Sequence, residues 1–224
     1  MDDTRAVRTQ QIRIPAAAAV LDADLRVPAD PGGVILFAHG SGSGRFSPRN
    51  RSVAQALNAA GFATVLADLL TPDEEVSDRR TGHLRFNIPF LAGRLRAVAA
   101  WLPGRPDLRM LPRGLFGAST GAAAALIAAA AEPDQGGAVV ARGGRPDLAG
   151  AALPRVRAPT LLLVGSRDPE VLALNEAALA RLTCLKRLVV VPGASHLFEE
   201  PGTLEAVAQH ATRWFQEHLK AGAA

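Results

Sequence analysis

Short apolar runs recur along the chain with helical patterns between them, and this alternation constrains the fold more than any other feature. The runs are VILFA (34–38), FATVLA (62–67), GLFG (114–117), AVVA (138–141), TLLLVG (160–165) and LVVV (188–191). Each is short and apolar at successive positions, the pattern of a parallel strand covered on both faces. Between them, RSVAQALNAAG opens a helix at Ser52, with Gln55 three residues on as a capping box, and closes it at Gly61. NIPFLAGRLRAVAAWL aligns Ile88, Leu91, Leu95, Val98 and Leu102 on one face, with Pro89 in its first turn. GAAAALIAAAAE runs to Pro133, and VLALNEAALARL and LEAVAQHATRWFQEHL complete the helices. Strands alternating with helices make βαβ units and a mostly parallel, doubly wound sheet. Ahead of them, residues 5–14 and 20–28 read as two strands joined by a turn near Pro15. VLDADLRV alternates apolar and polar, so this pair is an antiparallel N-terminal hairpin. Residues 69–85 are charged and read as an irregular surface stretch. The expectation is one α/β domain over residues 1–224, without repeat, linker or large lid.

Composition narrows the function classes. The formal charge is +4, but the arginines are spread along the chain with no basic run. Aromatic residues are 4% and tyrosine is absent, so no stacking platform accompanies the charge and nucleic acid is not the expected partner. No apolar run approaches the roughly 20 residues of a membrane span. The start, Met1-Asp2-Asp3, leads into no apolar segment of a signal peptide, and the expected location is cytoplasmic. Cys184 is the single cysteine, so neither an internal disulfide nor a cysteine metal cluster can form. It reads as a small buried hydrophobe.

In an open α/β sheet the reactive crevice lies at the carboxyl ends of the strands. There the sequence places Gly117-Ala118-Ser119-Thr120-Gly121, a G-x-S-x-G pentapeptide between an apolar strand and an alanine-rich helix. Small neighbours let the strand-to-helix turn close and present the serine hydroxyl. The pentapeptide alone is weak; its context strengthens it. Among the histidines, His196 follows LVVVPGAS, just past a strand and before the last helix, where a general base is needed. His210 and His218 fall inside that helix, and His83 in the polar stretch reads as solvated. Asp168, after TLLLVGSR, is the expected carboxylate orienting His196. Its plainer reading is an N-cap or turn aspartate ahead of Pro169, a role compatible with orienting the base. Asp134, Asp147, Glu199 and Glu200 are its rivals. The loop HGSGSGRFSPRN (39–50) follows the first parallel strand and brings backbone N–H groups to an anion. The N–H groups of Ser41 and Thr120 are the expected oxyanion donors, with His39 as loop scaffolding.

The order Ser119, Asp168, His196 is that of the α/β-hydrolases. On FAHGSGSG, GASTG, VGSRD and GASHLFEEPG, the chain resembles the α/β-hydrolase superfamily and, within it, the dienelactone hydrolase-like group. The resemblance implies an α/β-hydrolase fold and an esterase working through an acyl-enzyme, with no metal or cofactor. Dienelactone hydrolase itself resembles this scaffold but uses a cysteine where Ser119 stands, which points to a serine esterase of small esters. A lactone or thioester hydrolase, an acyltransferase, and a non-catalytic binding module on the same fold are the alternatives. Members also occur joined to phosphoribosyltransferases, a partner not expected in this chain. A nucleotide-binding reading of the glycine loop lacks the lysine of a P-loop and rests on Asp68 alone. Arg45, Arg49, Arg142 and Arg145 stand near the crevice. Arg45 and Arg142 are the candidates for holding a substrate carboxylate, against the reading that they are surface charge. A monomer or homodimer is expected.

Overall fold

The computed structural model describes residues 7–135 and 137–219. Eight strands form one sheet: β1 (Arg8–Ala16), β2 (Ala19–Val27), β3 (Val34–Ala38), β4 (Ala63–Ala67), β5 (Arg113–Ala118), β6 (Ala138–Arg142), β7 (Thr160–Gly165) and β8 (Lys186–Val191). Their spatial order is β1-β2-β4-β3-β5-β6-β7-β8. β1 and β2 pair antiparallel, as does β2 with β4, and every pairing from β4 through β8 is parallel. This is the α/β-hydrolase sheet with its antiparallel N-terminal hairpin.

The apolar runs become strands because both faces of the sheet are covered. Along β3, Leu36 belongs to one core and Ile35 and Phe37 to the other. Leu162 of β7 joins the first core, Leu161 and Leu163 the second. The first core continues into α3 (Ile88–Trp101) and α4 (Thr120–Ala131), the second into α1 (Pro48–Ala59) and α6 (Thr203–His218). The Phe37 and Phe116 rings pack 4.8 Å apart across adjacent strands. The α3 stripe is buried as expected, from Ile88 to Leu102. LVVV behaves differently. It lies in β8 at the sheet's edge, where Val190 is exposed and only Val191 is buried.

Three local expectations are corrected. The hairpin turns at Ala17, whose φ is +53°, while Pro15 lies inside β1, an edge strand that tolerates a missing donor. Helix α1 begins at Pro48, not at Ser52: Ser47 accepts from the Asn50 N–H and Pro48 fills the first turn. The stretch 69–85 is not irregular but holds α2 (Pro72–Thr81). Thr71 accepts from the Glu74 N–H while Glu74 accepts from the Thr71 N–H, a complete capping box. Helix α5 (Pro169–Arg181) follows β7. Between β6 and β7 the chain crosses as 3-10 turns over Pro146–Arg155, kinked at Gly150, with no lid domain.

Candidate active site

Ser119 stands between β5 and α4 with φ +51° and ψ −122°. A non-glycine residue with positive φ costs of the order of 1–3 kcal/mol and persists only where the surroundings enforce it. Here they do. The Ser119 N–H donates to the Arg142 carbonyl, and the Ser119 carbonyl accepts from Arg145 and Ala122. Glycines allow the close approach. A Cβ at Gly121 would meet the Ala38 carbonyl oxygen at 2.2 Å, and one at Gly117 would meet the Ala122 Cα at 2.4 Å. The elbow therefore presses against β3 and its own helix, and Gly40 lies against Ser119 from the next loop.

Asp168 occupies the N-cap position of α5, but its side chain makes no capping hydrogen bond. Its Oδ2 instead lies 2.6 Å from His196 Nδ1. The two loops that carry them are joined by backbone bonds: Arg167 N–H donates to Ala194 O and Ser166 N–H to Val191 O. With Asp168 accepting from Nδ1–H, the imidazole presents Nε2 as a base. His196 and Ser119 line one cavity of about 210 Å³, together with Gly40, Ser41, Asn50 and Arg142. The rival acids are placed otherwise. Asp147 forms a two-bonded pair with Arg145, Glu199 reaches Arg49, and Glu200 accepts from the Ser195 N–H. That last bond holds the Glu200 carboxyl below its ordinary range. Asp134 lies in the turn Pro133–Gln135, at the entrance to β6 rather than its exit. His210 and His218 lie on α6, where His218 packs edge-on to Trp214, and His83 is exposed. Cys184 is half-buried, its Sγ 3.7 Å from Thr160 Oγ1.

The Ser41 N–H points at the start of α4, donating to Thr120 Oγ1 at 2.9 Å. The Ser41 amide thus lies at the N-terminus of α4, where the helix dipole favours negative charge. His39 is fully engaged. Its Nε2 accepts from the Leu69 N–H at 2.9 Å and its Nδ1 lies 3.0 Å from the Gly40 carbonyl. Burial pushes its pKa below the ordinary 6.5, so the ring is a neutral strut between the ends of β3 and β4.

The arginines separate into two kinds. Arg45 pairs with Asp68, lies within 4 Å of Asp24 and Asp22, and lines a second cavity of about 650 Å³ across the Ser41–Gly44 loop. Asp68 also accepts from the Arg45 backbone N–H, so its oxygens are taken. Arg142 lines the Ser119 cavity itself and is only 8% exposed. Reading the sequence alone could not separate these two, because the difference lies in burial and in who the partners are. Asn50, which meets Arg142 in that cavity, was not among the expected site residues; only its place in the first βα loop could have suggested it.

Comparison with known proteins agrees with this architecture. A model of the "Alpha/beta hydrolase family" matches residues 4–209. A crystal structure of a dienelactone hydrolase from Anabaena variabilis is 54% identical, with a TM-score of 0.94, covering 96% of this chain and 99% of that one. Est1E from Butyrivibrio proteoclasticus, 18% identical over 92% of this chain and 98% of that one, shares the fold with a TM-score of 0.76. Among curated proteins, a putative phosphoribosyl transferase of Mycobacterium tuberculosis is 54% identical over 95% of this chain but 47% of its own length. The chain thus spans about half the length of the curated relatives it matches, and their name describes the longer protein.

Proposed function

The chain belongs to the α/β hydrolase family, and from that premise we propose that it is a serine hydrolase of small carboxylic esters. The observation that carries the reading is the 2.6 Å contact between Asp168 and His196, with the strained Ser119 on the wall of the same cavity. In this mechanism Ser119 Oγ attacks the ester carbonyl carbon while its proton passes to His196 Nε2. Asp168 accepts from Nδ1–H, holding the tautomer and stabilising the imidazolium. The carbonyl oxygen becomes an oxyanion held by the N–H groups of Thr120 and Ser41. For Ser41, it takes the place now filled by the Thr120 hydroxyl. Each such donor contributes about 3 kcal/mol in a preorganised site. As the intermediate collapses, the C–O bond to the alcohol breaks and the alcohol takes the proton from Nε2. Water, deprotonated by His196, then attacks the acyl-enzyme, releasing the acid and restoring Ser119.

The test is hydrolysis of p-nitrophenyl acetate by Ser119→Ala, with a fluorophosphonate as the covalent probe. The substitution abolishes turnover with the fold intact by circular dichroism, and the probe's adduct maps to Ser119. Full activity in the variant, or an adduct at another residue, refutes the assignment.

A further inference from the structure

Arg142 closes β6 opposite Ala118 of β5, so its side chain leaves the sheet one residue from the elbow. Among the described residues it has no carboxylate partner for its charge. Its Nη2 donates to Asn50 Oδ1 at 3.3 Å. Its Nε and Nη1 are buried without a hydrogen-bond partner among the described residues. The charged neighbour acting on it is another guanidinium, that of Arg49. Arg49 lines the same cavity; its Nη1 donates to Glu199 at 3.1 Å, while its Nε is also buried without a partner. Nearby arginines outside this cavity are neutralised: Arg45 by Asp68, Arg51 by Asp24 and Arg145 by Asp147.

A buried cation without a counter-charge is costly, and leaving it unpaired costs more than replacing it with an apolar residue of similar size. Burial first, and Arg49 second, lower the Arg142 pKa to about 10. At neutral pH it is still a cation. The cavity it lines is the one that holds Ser119 and His196, and at about 210 Å³ it is the volume of about seven liquid waters at roughly 30 Å³ each. That is room for a short acyl group and one small anion.

We propose that Arg142, with Arg49 at the rim and Asn50 orienting it, is the binding subsite for a carboxylate on the substrate. The enzyme's preferred ester is then short and anionic. This specificity rests on the serine-hydrolase reading, but the subsite itself is a binding property and can be tested without turnover. The carboxylate supplies the counter-charge that Arg142 lacks, through charge-assisted hydrogen bonds. Asn50 Oδ1 keeps the guanidinium from turning towards solvent.

The experiment has a kinetic and a binding arm, both at fixed ionic strength. The kinetic arm compares mono-p-nitrophenyl succinate, anionic in its acyl part, and 4-acetoxybenzoate, anionic in its alcohol part, with neutral p-nitrophenyl acetate. The protein prefers one of the anionic esters. Arg142→Met lowers the anionic-to-neutral ratio of kcat/KM by roughly ten- to hundredfold, and Arg49→Gln lowers it less, mainly through KM. Ratios unchanged within twofold in both variants overturn the proposal. If Arg142→Met does not fold, Arg49→Gln at the half-exposed rim carries the comparison. The binding arm titrates succinate into Ser119→Ala by calorimetry. Heat of binding that disappears in Ser119→Ala/Arg49→Gln supports the subsite even if Ser119 proves not to be the nucleophile. No binding of succinate or acetate overturns it, and so does binding of inorganic phosphate in preference to both.

Discussion

One substitution made at two places tests the account of the elbow. Gly121 and Gly93 are both helical glycines, in α4 and α3. At Gly93 an added Cβ meets nothing within 4 Å, whereas at Gly121 it lies 2.2 Å from the Ala38 carbonyl oxygen and 2.5 Å from that of His39. Carbon-to-oxygen contacts normally begin near 3.3 Å. Helix α4 must therefore retreat from β3 by about 1 Å, because the atoms it meets are backbone and cannot swing aside. Overpacking costs typically 1–3 kcal/mol, and a backbone obstacle puts Gly121→Ala at the top of that range. Greater helix propensity returns at most about 1 kcal/mol, and less in a first turn. The net loss is about 2–3 kcal/mol. Gly93→Ala keeps the propensity gain and is stabilised by about 0.8–1 kcal/mol. For a chain of this size the variants melt roughly 4–12 °C below and 2–4 °C above the parent. Urea denaturation followed by far-ultraviolet circular dichroism reads the difference. Two variants within about 0.5 kcal/mol of each other, well inside the gap that the propensity and packing terms imply, would refute the close-approach argument.

The remaining predictions concern two histidines, the partly exposed His196 and the buried His39. Asp168→Asn keeps the fold but leaves His196 in the wrong tautomer, so kcat for p-nitrophenyl acetate falls about ten-thousandfold; a loss of tenfold or less would show that Asp168 does not orient the base. His39 is held neutral by burial, with its pKa below the ordinary 6.5. An unfolded chain takes up a proton there before the folded one does. The contribution of His39 is therefore complete above about pH 6.5 and declines as the pH falls towards the lower folded value. His39→Asn removes that decline, so its melting temperature falls less than the parent's between pH 7 and 5; parallel pH profiles would mean that His39 is not buried neutral.

What the sequence disclosed and what it withheld follow from burial. The strands β3 to β7 announce themselves because both of their faces are covered, which demands uninterrupted apolar runs. Ser119 and Asp168 were singled out because each follows such a run, and His196 because it follows the LVVV of β8, apolar although it lies at the sheet's edge. Helix α2 was not legible as an apolar pattern, since Pro72–Thr81 buries only Asp78 among its residues. Its signature was the Thr71-to-Glu74 capping box, which a search by hydrophobic period passes over. The start of α1 was misplaced for a related reason. Ser52 and Gln55 satisfy the capping-box pattern in letters, but the helix is capped by Ser47, without a box, and followed by Pro48, which pre-sets the helical φ. The arginines show a firmer boundary. Arg45 and Arg142 are equivalent as letters beside a crevice. Only three-dimensional neighbours reveal that one meets carboxylates and the other meets Asn50 and a second cation.

The bonds around Ser119 carry a further consequence. Its N–H is tied to the carbonyl of Arg142, and its own carbonyl receives the N–H of Arg145. Residue 119 and the root of the residue 142 side chain are thus bolted together through the main chain. The gap between the Ser119 hydroxyl and the guanidinium is a ruler whose origin no side-chain exchange can move. Evolution or design can shorten or blunt the arm at 142. To admit a longer substrate it must instead reshape the adjoining wall, at Ser47, Arg49 and Asn50 at the start of α1. Selectivity for length should therefore drift on that helix while the elbow stays fixed.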